Sequence, residues 1–189
     1  MRSSFGKPPP TGASDPSSTY LRSSQVSYNS AAGEGGGGGI AEEENTGAYS
    51  ITLALTDSSV DRNTASYGGG LYVSSYPTRT AVTTLNLDNT TVDSNSAVLS
   101  GGGLDLYGDL HLLANVLDSE FSNNAAQYGA GMANSGGQLT VTAGSVHDDT
   151  ASVNGGGILN AGTINTTATA SSVNFYNNVP NNCVNVTGC

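Results

Sequence analysis

Val92-Asp-Ser-Asn95-Ser-Ala97, followed three residues later by Gly101-Gly-Gly-Leu104, decides the fold because the chain keeps rewriting it. The same order of an apolar residue, two spacers, Asn or Asp, one spacer and Ala reads Val26-Ser-Tyr-Asn29-Ser-Ala31, Val60-Asp-Arg-Asn63-Thr-Ala65, Phe121-Ser-Asn-Asn124-Ala-Ala126 and Val146-His-Asp-Asp149-Thr-Ala151. Glycine clusters follow at Gly35 to Gly39, Gly68 to Gly70, Gly129-Ala-Gly131 and Gly155 to Gly157, and the clusters close on Ile40, Leu71, Leu104, Met132 and Ile158. A unit recurring every few tens of residues marks a stacked, quasi-one-dimensional protein in which each unit buries its apolar face against its neighbours.

Alignment on the Asn/Asp position brings further columns into register. Leu53, Leu85, Ala114, Leu139 and Ala168 share one, and Leu55, Leu87, Val116, Val141 and Ala170 share the next. A third is Val60, Val92, Phe121, Val146 and Phe175. Within a unit the aliphatics alternate with polar residues, as in Thr84-Leu85-Asn86-Leu87-Asp88, and a spacing of two is a strand with one buried face. Gly, Thr, Ser, Asn and Val are poor helix residues, which excludes a helical solenoid. The expected fold is therefore all-β, a right-handed parallel β-helix of about five coils, its hand taken from the preference of parallel crossovers.

Parallel stacking places equivalent side chains about 4.8 Å apart, so columns become ladders. Asn29, Asn63, Asn95, Asn124, Asp149 and Asn178 form the expected structural ladder. A stacked amide donates to one neighbour and accepts from the other, and Asn tolerates the left-handed backbone of a corner. Glycine at the opposite corner supplies positive φ or lets adjacent turns approach closely. By this reading residues 1–23, rich in Pro and Ser, are a disordered or loosely attached tail, 24–178 are the repeats, and 179–189 are a C-terminal tail carrying the cysteines. Insertions are expected as loops at Ala41-Glu-Glu-Glu-Asn45 and Ser74-Ser-Tyr-Pro-Thr-Arg79.

The chain has 189 residues and a formal charge of −10, with Lys7 its only lysine and Arg79 its last arginine. Nucleic-acid binding needs clustered Lys and Arg, and an anionic membrane surface repels such a chain. No stretch approaches the roughly 20 apolar residues of a spanning helix, so no membrane insertion is expected of this segment. Met1 to Pro10 lacks the apolar core of a secretory signal, so the chain is either cytosolic or a fragment whose export signal lies upstream; the fragment is favoured, because the first repeat appears by Val26 with no obvious cap before it, and an extracellular or cell-surface location is expected. Cys183 and Cys189 are the only cysteines. Thiols this close suit a small disulfide loop in an oxidising compartment, with free thiols and a metal pair as rivals. A metal pair leaves the usual four-ligand zinc site unfilled, since no His is near.

The pairing of Phe/Val-x-x-Asn with Gly-Gly-Gly-Leu/Ile over about residues 24 to 178 resembles the repeats of the chlamydial polymorphic outer membrane proteins and the wider bacterial parallel β-helix repeat proteins. The chain departs from them in Gly-Gly-Gly where that family commonly has Gly-Gly-Ala, and in Val at most Phe positions. The resemblance implies a pectin-lyase-like β-helix on the cell surface or associated with the outer membrane, adhesin-like, with an extracellular glycan or protein as its partner.

The rival class is a carbohydrate-active β-helix enzyme, a polysaccharide lyase or glycoside hydrolase, truncated in this chain. A lyase needs a strong base, and Arg62 and Arg79 are the only cationic candidates in the repeats. Glycoside hydrolysis needs two carboxyl groups about 5 to 9.5 Å apart, which Asp148 with Asp118 or Glu120 would supply from adjacent coils. His147 beside Asp148 and Asp149 is similar to a small metal or acid–base cluster, but its slot holds Ser27, Asp61, Asp93 and Ser122 elsewhere. His111 stands alone, and Asp105 with Asp109 would be a weak calcium motif because the acid does not recur in other units. The reading assigns no catalytic, cofactor-binding or metal-binding residue and expects a non-catalytic scaffold.

Overall fold

The computed structural model describes residues 17–32, 36–44, 50–75, 81–162 and 166–189. Among them there is no helix. The strands form four parallel sheets stacked into a β-solenoid of about five turns. One coil shows the plan: Thr83–Asp88 lies in sheet A, Thr91–Asp93 in sheet B, Ser96–Ser100 in sheet C and Leu104–Tyr107 in sheet D. Sheets A, B and D have 6 strands each and sheet C has 4.

The sequence columns are the register. Leu85 pairs with Leu53 and Ala114, Val92 with Val60 and Phe121, and Leu104 with Leu71 and Met132. These side chains point inward and are excluded from solvent, forming one continuous core along the axis. Each fully buried Val, Leu or Ile contributes roughly 1.5 to 3 kcal/mol of transfer free energy. A smaller cluster of Ala97, Ala126, Ala130 and Ala151 lies behind sheet C.

The left-handed backbone falls one residue earlier than expected. Tyr28, Arg62, Ser94, Asn123, Asp148 and Asn177 have positive φ, each immediately before a ladder residue. The ladder side chain must point inward while its own N–H reaches the next coil, so the reversal is taken up by the preceding, outward residue. A second such column, Ser23, Asp57, Asn89, Asp118, Ala143 and Ser172, turns sheet A into sheet B. Ser58, Thr90 and Ser119 follow it and point inward as a buried hydroxyl column, with Ser119 Oγ accepting from the Thr90 N–H at 3.1 Å and donating to the Leu117 carbonyl at 2.7 Å.

Glycine and ladder are one device. Gly68, Gly101, Gly129 and Gly155 take positive φ at the corner from sheet C to sheet D. The last glycine of each tract faces the ladder: a Cβ on Gly103 would lie 2.6 Å from the Gly131 carbonyl oxygen and 3.2 Å from Asn124 Nδ2. The tract thus gives the amides their space, which is why the two motifs recur together.

Both ends extend further than composition suggests. Ser17–Arg22, assigned to the loose tail, is the first strand of sheet A, with Thr19 and Leu21 in the columns of Leu53 and Leu55. The Pro-rich composition stops at Pro16, and alternation begins directly after it. The expected loop at residues 41–45 is likewise a strand over most of its length, Ile40–Glu44, paired with Leu71–Ser75. Asn45 and residues 76–79 of the second expected loop lie outside the described residues.

The C-terminal segment continues the stack. Cys183–Val184 pairs with Ile158–Asn160, and Thr187 bridges to Thr169. A disulfide joins Cys183 to Cys189 with their Cα atoms 6.2 Å apart, and Cys183 and Val186 pack on the end of the core. Replacing both cysteines by Ser is expected to destabilise this closing turn by about 2 kcal/mol through the freed loop entropy. Hydrogen exchange checks this: the Ala170 amide, which donates to the Thr187 carbonyl at 2.8 Å, should exchange faster in the double variant. Unchanged exchange there would show that the bond does not hold the end.

Candidate functional site

The acids proposed for hydrolysis meet across an imidazole. His147 Nδ1 lies 2.8 Å from Asp148 Oδ2 and Nε2 lies 3.2 Å from Glu120 Oε1, while the ring stacks on Tyr176 at 4.4 Å. Glu120 precedes His147 by one coil and Tyr176 follows it, so the cluster is a product of stacking in the outer columns of sheet B. The His147 contact, with a hydrogen bond from Asn177, holds Asp148 below the usual carboxylate range. Asp118 stands at the corner before Glu120, in left-handed backbone. Asp149 does not join this group: its side chain turns inward into the ladder.

Arg62 is engaged by its own coil and the one before it. Its Nη1 lies 2.6 Å from Asp61 Oδ2, and its guanidinium sits 5.4 Å from the Tyr28 ring centroid. Arg79 lies outside the described residues. Asp109 contacts His111 at 3.2 Å, whereas Asp105 is buried and accepts from Ser100 Oγ at 2.6 Å, so the two acids serve different structures. Among the described residues no group of three or more His, Cys, Asp or Glu is placed to hold a metal ion.

Apart from Asp149 Oδ2, the buried rungs of the ladder are satisfied internally. Asn95 Oδ1 accepts from the N–H and Nδ2 of Asn63, both at 3.0 Å, and Asn95 Nδ2 donates to the Val60 carbonyl and to Asn124 Oδ1. Asn124 repeats the pattern toward Val92 and Asp149. Sequence reading missed a second, shorter set: Asn134 Nδ2 donates to Asn160 Oδ1 at 3.0 Å in the inward column that holds Val73 and Leu106 in earlier coils. The signal was present, since both Asn residues lie two positions after the aliphatic that closes a glycine cluster.

Two surfaces carry side chains that the fold does not consume. The first is the outer face of sheet A, where Ala54, Asn86, Asn115, Thr140 and Thr169 form one row and Thr56, Asp88, Leu117, Thr142 and Ser171 another. The rows are exposed in the later coils, and Asn115 Nδ2 donates to Asn86 Oδ1 at 3.0 Å.

The second is a pocket of about 330 Å³ at the corner between sheets C and D. Tyr67, Tyr72, Ser100, Asp105, Tyr107 and Ser135 line it. Tyr67 and Ser100 share a column of sheet C, while Asp105 pairs with Tyr72 on the outer face of sheet D. The outward column of sheet D folds over the corner glycines, as Asp105 does over Gly101, and so Asp105 is only 2 % exposed although it points away from the core. Burial pushes its carboxyl up to about 6 against the hydrogen bond from Ser100. Burial, then the charges of Asp105 and Glu43, push the Tyr72 phenol up to about 12.

Fold and columns together define a parallel β-solenoid repeat protein. Comparison with protein-family models, curated proteins and solved structures found no match to the chain. No helix among the described residues is long and apolar enough to cross a membrane.

Proposed function

We propose that the protein is a non-catalytic, adhesin-like β-helix scaffold of the cell surface or extracellular space, and that it binds a glycan or protein partner through the outer face of sheet A. The observation that carries this reading is the outward rows of that sheet. They set hydroxyls and amides at the regular strand spacing on a surface six strands long, and no other part of the chain covers them among the described residues. A repeating polymer can meet such a surface with many weak, equivalent hydrogen bonds whose avidity grows with length. The repeat residues are otherwise absorbed by core, corners and ladder.

The test is retention of the full chain on immobilised acidic and neutral polysaccharides and extracellular proteins. Asn115→Lys with Thr140→Glu is expected to abolish retention on the bound partner while leaving the melting curve nearly unchanged, because both side chains are exposed and the new charges are opposite across paired strands. Release of reducing ends or unsaturated products from any polysaccharide, lost on replacing Asp148 or Asp118 by Asn, would overturn the reading in favour of an enzyme.

A further inference from the structure

We propose that the pocket at the corner of sheets C and D binds an organic ammonium group, a methylated amine, held among Tyr67, Tyr72 and Tyr107 with Asp105 beneath it as counter-ion. The inference is independent of the sheet A proposal and uses a different surface.

Three tyrosines around one small cavity are a concentration of aromatic surface in a chain with few aromatic residues. The volume sits at the lower end of small-molecule pockets, roughly 300–1,000 Å³. Aromatic rings attract cations through their negative faces, and cages of them recognise quaternary ammonium groups. Tyr72 is held by the fold, packed so closely on Gly36 that a Cβ there would enter its ring.

Asp105 selects charge. Its Oδ1 is buried with no hydrogen-bond partner among the described residues, and the side chain makes no ion pair there. An oxygen so enclosed is out of reach of a sugar hydroxyl, whereas its field acts through the pocket floor without contact. A quaternary ammonium, methylated at every position, has no N–H to satisfy and needs only such a field with apolar walls. With a carboxyl pushed up to about 6, Asp105 is ionised at neutral pH and its charge is uncompensated. Glu43 adds a second negative charge near Tyr72, and the chain's net charge of −10 draws cations toward it.

The intact protein is titrated at pH 7.5 and constant ionic strength with tetramethylammonium, with choline, and with 3,3-dimethylbutan-1-ol, the neutral isostere of choline, following tyrosine ring resonances. Saturable binding of both cations is expected, with the neutral isostere at least about tenfold weaker. Asp105→Asn should weaken cation binding by at least about tenfold and narrow the gap between choline and its isostere to what the tyrosine rings alone supply. Tyr107→Ala should weaken all three, and because Tyr107 is 59 % exposed its loss should leave the melting curve in place, which keeps the test valid if Asp105→Asn fails to fold. Two further arms, phosphocholine and a peptide carrying Nε-trimethyl-lysine, distinguish a lipid or polymer headgroup from a modified protein, and tighter binding of either supports the site. Equal binding of choline and its isostere, cation binding untouched by both substitutions, or no saturable binding of any cation would overturn it.

Discussion

Asp149→Asn is expected to stabilise the protein by on the order of 2–4 kcal/mol at pH 8 and to leave stability nearly unchanged at pH 4. Asp149 is the one acid in a column of amides and is fully buried. Its Oδ1 accepts from the N–H and Nδ2 of Asn124, at 2.8 and 3.0 Å, as an amide oxygen would. Its Oδ2 occupies the place where the other members carry a donor, and it has no partner among the described residues. In the neighbouring coils that donor goes to a sheet B carbonyl one coil back, Val92 for Asn124 and Val146 for Asn178. The corresponding oxygen for Asp149 is the carbonyl of Phe121, so an ionised carboxylate confronts an acceptor. Burial pushes the carboxyl up to about 7, opposed by the two Asn124 hydrogen bonds.

The sign follows from linkage. The folded pKa lies above the unfolded one, so the folded state holds the proton more tightly between about pH 4 and 7. The contribution of Asp149 to stability is fully present below pH 4 and is lost as pH rises through 7. Chemical denaturation across pH 4 to 8 should show this slope in the parent and a flatter line in Asp149→Asn. Parallel lines for the two proteins would show that Asp149 titrates normally in the ladder.

Legibility differed by where a residue's constraint arises. The inward columns were readable because a parallel stack forces the same chemistry at the same place in every coil, as in Val60, Val92, Phe121 and Val146. The left-handed positions were hidden because their side chains face outward, and Arg62, Ser94, Asn123 and Asp148 share a backbone conformation but no chemistry. The strand at Ser17–Arg22 was masked by composition, since a window that includes Pro8 to Pro10 looks disordered throughout. The Tyr67–Tyr72–Tyr107 pocket was invisible for a different reason. Its residues come from three coils, and Asp105 reads only as half of a weak calcium motif until the fold sets it against the glycine corner.

Asn95→Ala should cost about 2–4 kcal/mol, a large loss for one ladder truncation. Its side chain makes four hydrogen bonds in a buried corner, two accepted from Asn63 and two donated to Val60 and Asn124. Truncation leaves the buried Asn63 N–H without its acceptor, while Asn63 Nδ2 keeps only the Val26 carbonyl and Asn124 Oδ1 only the Asn95 N–H, and a buried group left unmade costs roughly 1–3 kcal/mol on top of the hydrogen bonds lost. The adjacent Gly70, whose Cβ position lies 3.1 Å from Asn95 Cγ, cannot fill the space. Position in the stack sets the scale. Asn29 occupies the first rung, is exposed, and among the described residues its side chain reaches Asn63 alone, so Asn29→Ala should cost less than about 1 kcal/mol. Unfolding midpoints of the two variants measured together decide the matter: equal losses at Asn29 and Asn95 would mean that the ladder acts through propensity at the corner, and the buried amide chain would then not be what couples one coil to the next.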